Sequence, residues 1–319
     1  MSMTSPWCSH VYRDRRVLVL GASGFIGQSV ARMLANAQAK VYSAVRGSAR
    51  DLPGVISGVD LSIPGTAANL ISGLRPDIVF NLAGYGIDRT ERDAALARRI
   101  NAELPGEAAA AAIHTESDSW SGLRFVHVGS ALEYGAASGD LDEESEPNPT
   151  TLYGQTKLAG AQAVSQAGEG CVTARLFTVY GTGEIKGRLL PSLIDAARTG
   201  SHLPLTDGLQ ERHFTYVGDV AEGLLRLGSM RWPPEGPLGR NSAIVNLATD
   251  KLLTVKHFVL EAARVIGLRS SQLGFGELPT REEEMSHLPV TMRKLRQWTG
   301  WYPMTEIAKG VEETIRAYV

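Results

Sequence analysis

Val17-Leu18-Val19-Leu20-Gly21-Ala22-Ser23-Gly24-Phe25-Ile26-Gly27 is the stretch that decides the fold. An unbroken apolar run reads as a strand covered on both faces, the mark of a parallel sheet. Glycine then turns the chain, and Gln28–Gln38 continues with the pattern of a helix. At such a turn the backbone can approach a ligand closely. The helix N-terminus adds free N–H groups and the positive end of the helix dipole. Gly21, Ser23, Gly24, Phe25, Ile26 and Gly27 are therefore predicted to hold the pyrophosphate of a dinucleotide. Their spacing is GxxGxxG rather than the commoner GxGxxG.

Further apolar runs lie at Val41–Val45, Ile78–Ala83, Phe125–Ser130, Val172–Phe177 and Ile244–Ala248. Helical patterns at Glu103–His114 and Thr156–Gln166 fall between them. Repeated βα units predict an α/β protein with a doubly wound parallel sheet and a second, smaller lobe. The expected division is a disordered extension over 1–13, a dinucleotide-binding domain over 14–178 and 213–249, and a substrate lobe over 179–212 and 250–319. The 319 residues suffice for a sizeable core, and the formal net charge of −2 gives no electrostatic case for a nucleic-acid partner. Two distant cysteines and seven histidines without ligand spacing predict neither a disulfide framework nor a metal site. No apolar run approaches a membrane span, and the first 13 residues lack the apolar stretch of a signal peptide, so a cytoplasmic protein is expected.

The end of the second apolar run selects the cofactor. An acid there would bind the adenosine ribose of NAD, but the sequence is Val45-Arg46-Gly47-Ser48. Arg46 lies 19 residues beyond Gly27, where the discriminating side chain is expected. A guanidinium there can pair with a 2′-phosphate, with Arg50 assisting, so NADP(H) is favoured and NAD(H) is the alternative. Asp60 and Leu61 are placed at the border of the adenine.

Tyr153-Gly-Gln-Thr-Lys157 puts two reactive side chains on one helix face. Ser130 lies 23 residues upstream of Tyr153, at the end of its strand, where open α/β sheets bind ligands. Tyr153 is expected to exchange a proton with a carbonyl oxygen as hydride is transferred, and Ser130 to hydrogen-bond that oxygen. A free phenol ionises near ~10. Lys157 is therefore expected to favour the phenolate, and also to hold the nicotinamide ribose.

In their order along the chain, Gly21–Gly27, Arg75-Pro-Asp-Ile-Val-Phe-Asn-Leu-Ala83, Asn101, Val128-Gly-Ser-Ala-Leu-Glu-Tyr-Gly135 and Tyr153–Lys157 resemble the extended short-chain dehydrogenases/reductases. Arg175-Leu-Phe-Thr-Val-Tyr-Gly-Thr-Gly183, Arg212-His-Phe-Thr-Tyr-Val-Gly-Asp219 and Gly300-Trp-Tyr-Pro303 narrow the likeness to nucleotide-sugar epimerases, dehydratases and ketoreductases. The resemblance implies cofactor contacts at Leu82, Ala83, Gly84 and Asn101, and a nucleoside-diphosphate sugar near Ala131, Tyr153 and Thr178. It implies two diphosphate-binding arginines, Arg212 and Arg281, and a homodimer.

Two departures shape the functional reading. The dehydratases' acid pair is Ala131-Leu132 here, and neither residue can move a proton. Glu133 stands one place further, and in a strand its side chain would turn to the other face. The family's asparagine before Val-Tyr-Gly is Thr178. The leading expectation is NADPH-dependent reduction of a nucleoside-diphospho-4-keto-6-deoxy sugar. The alternative is a 4-epimerase that keeps NAD bound. A dinucleotide sensor without catalysis is a third reading, against which Ser130, Tyr153 and Lys157 all argue.

Overall fold

The computed structural model describes residues 6–86, 91–115, 120–136, 139–232, 243–280 and 287–318. The chain forms β1 (Arg16–Leu20), β2 (Lys40–Ala44), β3 (Val55–Ile56), β4 (Ile78–Asn81), β5 (Phe125–Ser130) and β6 (Cys171–Leu176). It then leaves for β7 (Thr178–Tyr180), β8 (Leu203–Pro204) and β9 (Glu211–Tyr216). It returns as β10 (Ile244–Leu247) and ends with β11 (Leu252–Thr254) and β12 (Leu273–Gly274). Seven strands make one sheet in the order β3-β2-β1-β4-β5-β6-β10, with every neighbouring pair parallel. This is the doubly wound sheet expected. The strand order reverses between β1 and β4, so a crevice opens beyond their carboxyl ends.

The continuous apolar runs are explained by helices on both faces. The helices are α1 (Pro6–Tyr12), α2 (Phe25–Asn36), α3 (Thr66–Leu74), α4 (Ala94–Arg98), α5 (Leu104–Ile113), α6 (Leu152–Ala167), α7 (Leu189–Thr199), α8 (Val217–Ser229), α9 (Val255–Ile266), α10 (Arg293–Thr299) and α11 (Ile307–Tyr318). Val17 and Val19 pack in a core with Val30 and Leu34 of α2 and Val220 and Leu224 of α8. Leu18 and Leu20 face the opposite way, into a core with Ile71 of α3, Leu104 and Ala108 of α5 and Val164 of α6. These four apolar side chains of β1 are fully buried, each worth about 1.5–3 kcal/mol.

Within the stretch expected as a disordered extension, Pro6–Tyr12 form a packed helix. Tyr12 is fully buried, and its hydroxyl donates to the Leu225 carbonyl at 2.5 Å. Trp7 donates to Glu222 at 3.2 Å, and the Arg226 guanidinium lies 4.3 Å from the Trp7 ring and 5.5 Å from that of Trp301. Aromatic burial on α8 thus orders a segment whose polar residues suggested none.

The boundary expected at residue 213 falls inside β9, which joins β7 and β11 in a separate three-stranded sheet. Phe214 stacks on Phe258 of α9 with centroids 4.1 Å apart, in a core shared with Leu193 and Val311. Phe214 therefore belongs to the smaller lobe, and α8 is the element that returns to the large sheet. The C-terminal stretch also divides, because Leu295 of α10 packs in the core between α2 and α8.

Candidate active site

Parallel strands deliver Gly21, Leu82 and Ser130 to one edge of the sheet, at the ends of β1, β4 and β5. Gly21 has φ +73°, and a Cβ there would lie 2.7 Å from the Ala83 nitrogen. Only glycine lets the turn press against the chain leaving β4. Gly24 caps α2 without a side-chain hydrogen bond, and the first turn of α2 carries no acid. Ser23 and Gly24 are exposed, Phe25 and Ile26 half-buried, Gly27 buried. A helix N-terminus left uncapped and free of negative charge fits a pyrophosphate.

Arg46 is exposed two residues beyond β2. Ser62 donates its hydroxyl and backbone N–H to Asp60, at 2.6 and 2.9 Å. These bonds hold the Asp60 carboxyl below its usual range, and the Arg46 charge adds to the effect. Arg46, Asp60 and the half-buried Leu61 thus gather on the β2 side of the crevice. Leu82, Ala83 and Gly84 follow β4 at the same edge.

Asn101 sits in a π-helical turn, Arg99–Glu103, and is fully buried. Its amide donates to the Tyr85 carbonyl at 2.7 Å and to Thr156 Oγ1 at 3.1 Å, and accepts from the Tyr85 N–H at 3.0 Å. Both amide donors are therefore engaged in fastening the 82–86 loop to α6. Asn101 thus braces the loop that follows β4.

Ser130 ends β5 and caps a 3-10 turn, Ala131–Glu133, by accepting the Leu132 N–H at 3.2 Å. Tyr153 begins the first turn of α6, whose N-cap Thr151 accepts from Gly154 at 3.1 Å. The Tyr153 phenol hydrogen-bonds the Ser130 hydroxyl, and burial and then the Glu133 charge push its pKa well above the ordinary value. Lys157, one turn along α6, is buried at 2% exposure and donates to the Val128 carbonyl. Burial pulls its pKa down to about 8, with Glu133 opposing. Desolvation and the Glu133 and Glu91 charges thus favour the protonated phenol, while the lysine amine is turned toward a backbone carbonyl.

Ala131 is buried beside Ser130. Thr178 starts β7, two residues beyond Leu176, the partner of Ser130 across β5 and β6. Arg212 is half-buried on β9, two residues before Phe214, the partner of Thr178. Its charge reinforces the effect of burial that holds the neighbouring His287 ring down to about 3. Arg281 and residues 87–90 lie outside the described residues.

Two carboxyls here carried no role in the sequence. Glu133 does not turn away along a strand: the 3-10 turn folds it back beneath Ser130, where it is fully buried. Glu184 follows β7, with its side chain 8% exposed and Arg188 at 3.8 Å. Its Oε2 is buried without a hydrogen-bond partner among the described residues. Burial raises this carboxyl to about 7 against the pull of Arg188. A lone acid in a glycine-rich loop has no periodicity that would have marked it.

The profile of the NAD dependent epimerase/dehydratase family matches residues 17–236. The chain is 30% identical to a dTDP-6-deoxy-L-talose 4-dehydrogenase (NAD(P)(+)) of Kitasatospora kifunensis, across 93% of this chain and 94% of that protein. It is 33% identical to a dTDP-4-dehydrorhamnose reductase of Burkholderia thailandensis, across 52% of this chain and 50% of that protein. Among solved structures, MoeE5 in complex with UDP-glucuronic acid and NAD superposes with a TM-score of 0.78 at 26% identity, covering 95% of this chain and 98% of that one. Among the described residues no helix is long and apolar enough to cross a membrane.

Proposed function

The chain belongs to the NAD-dependent epimerase/dehydratase family, and from that premise we propose that it reduces the keto group of a nucleoside-diphospho-4-keto-6-deoxy sugar with NADPH. The observation that carries this reading is the half-buried Tyr153 phenol, hydrogen-bonded to Ser130 and favoured in its protonated form by desolvation and the Glu133 charge, beside an Ala131-Leu132 pair that offers no proton for dehydration. An acid already protonated at neutral pH suits the delivery of a proton to a carbonyl oxygen. Similarity over nearly the whole length to a dTDP-6-deoxysugar 4-dehydrogenase supports the substrate class.

When bound, the dinucleotide supplies the hydride. The turn Gly21–Gly27 and the start of α2 would hold its pyrophosphate, and Arg46 would pair with a 2′-phosphate. Lys157, on the same helix face as Tyr153, would hold the nicotinamide ribose. Ser130 already accepts from the Leu132 N–H, which leaves its own hydrogen for the sugar keto oxygen or for Tyr153. Tyr153 gives that oxygen its proton. Ala131 and Thr178 would border the sugar, and Arg212 would meet the diphosphate.

The test is an assay with a panel of nucleoside-diphospho-4-keto-6-deoxy sugars. One NADPH should disappear per product, and label from deuterated NADPH should appear on the carbon bearing the new hydroxyl. Purification with firmly held NAD, together with interconversion of hydroxyl epimers without added cofactor, would replace this reading with a 4-epimerase.

A further inference from the structure

Glu133 is fully buried and its two oxygens have different duties. Oε1 accepts the Ser130 N–H at 2.7 Å, and Oε2 meets Arg175 Nε at 2.8 Å. The position is prepared on several sides. A Cβ at residue 129 would lie 2.6 Å from Oε1 and 2.8 Å from Thr173 Cγ2, so glycine there makes room for the carboxylate. Arg175 is 1% exposed, with its guanidinium 4.4 Å from the centre of the Tyr134 ring. The Tyr134 hydroxyl is anchored in turn on Asn246 at 2.7 Å and on the Asp142 carbonyl at 2.9 Å.

Such a pair is a poor way to gain stability. Desolvating two charges offsets most of their attraction, and apolar residues of similar volume serve a core as well or better. This pair stands directly behind the reacting groups. Tyr153 is faced by Ser130, Glu133, Glu91 and Arg188, with Lys157 one turn along its own helix. Lys157 is faced by Glu133, His127 and the Val128 carbonyl. Arg175 is faced by Glu133, Tyr134 and Lys294. The Glu133 charge opposes loss of the proton from both Tyr153 and Lys157.

We propose that Glu133 is a positioning residue of this active site: clamped by Arg175, its carboxylate fixes Ser130 through the backbone and holds a negative charge behind Tyr153 and Lys157 that keeps Tyr153 in its acid form. This rests on Ser130, Tyr153 and Lys157 being the reacting groups, as in the function proposed above, and not on the identity of the sugar. The dehydratases' acids stand inside the site to move protons themselves. Here an acid one residue later works from beneath, on the proton of its neighbour.

The test compares wild type, Glu133→Gln and Glu133→Gln/Arg175→Met, the double variant removing the stranded arginine charge. The primary readout is tyrosinate absorbance against pH, taken as the difference from the matching Tyr153→Phe protein, and it needs no substrate. Both variants should show at least tenfold more Tyr153 phenolate than wild type at a given alkaline pH, the single variant more than the double. In the reductase assay kcat should fall about tenfold, with its alkaline limb moved to lower pH and KM within about threefold. Unchanged Tyr153 ionisation in folded variants, or a uniform fall in kcat with the same pH profile, would overturn the proposal. Failure of both variants to fold would make the pair structural and overturn it equally. If wild type reduces none of the sugars, the proposed function fails while the tyrosinate titration still decides the role of Glu133.

Discussion

Along the carboxyl edge of the large sheet, the turn after β1 and the end of β5 lie one strand apart and are built in opposite ways. The β1 turn works with backbone: a glycine at φ +73°, an uncapped helix start, and no charged side chain in the first turn. The β5 end works with side chains: the half-buried Ser130 on Tyr153, and behind them the buried Lys157 on a carbonyl and Glu133 against Arg175. A pyrophosphate needs fixed N–H groups and space, which backbone provides. Proton transfer needs tuned acidity, which only side chains with buried neighbours provide. The first half should therefore respond to shape and the second to charge.

The sharpest test of that contrast is Tyr153→Phe, which removes a hydroxyl and leaves the ring. Turnover should fall ~10²–10⁴-fold, while equilibrium dialysis finds dinucleotide affinity within about threefold of wild type. Turnover within threefold would dismiss Tyr153 as the acid. Gly21→Ala is the mirror experiment: a methyl driven toward the Ala83 nitrogen should weaken dinucleotide binding by about a hundredfold, or ~2.7 kcal/mol. A variant that binds normally would show that the turn tolerates shape after all.

The glycine turn and the Tyr153–Lys157 spacing were legible in the sequence because each depends on residues close along the chain. Tertiary neighbours decided what was missed. The four-residue spacing could not show that the Lys157 amine faces Val128, nor that Glu133 raises the Tyr153 pKa. Glu133 itself was misread because a strand pattern was carried past Ser130, where the serine hydroxyl starts a 3-10 turn. The β9 residues do not reveal which sheet they join, so the lobe boundary was set at 213, four residues before the chain leaves β9 after Tyr216. Trp7 and Tyr12 were the only hint that the first helix is anchored.

Two smaller effects refine the comparison. Arg46→Asp should shift the NADPH-to-NADH affinity ratio by ~10–100-fold toward NADH, measured by fluorescence titration of both cofactors. Equal affinities in wild type would remove Arg46 from the adenine side. Glu184 offers a test by stability. Its folded pKa of about 7 lies above the ordinary 4.5, so the folded state holds the proton longer than the unfolded chain. The stabilising contribution is complete below pH 4.5 and is lost as pH rises toward and past 7. Glu184→Gln should therefore gain on wild type between pH 5 and pH 8 by ~1–3 kcal/mol, read from denaturant midpoints. A constant difference between the two proteins would place Glu184 in a better-solvated setting.

Arg226 lies against Trp7 from the start of the chain and Trp301 from near its end, on the helix that also receives the Tyr12 hydroxyl. Tyr12 and Leu225 are 213 residues apart. At translation speeds of ~5–20 residues per second, the opening helix waits roughly 10–40 s for its docking site to be synthesised. Until then Tyr12 can meet only its earlier aromatic neighbours, Phe80 and Trp120, and Trp7 lacks Arg226. The contacts of α1 with α8 are thus among the last this domain can make, well after its central strands are complete.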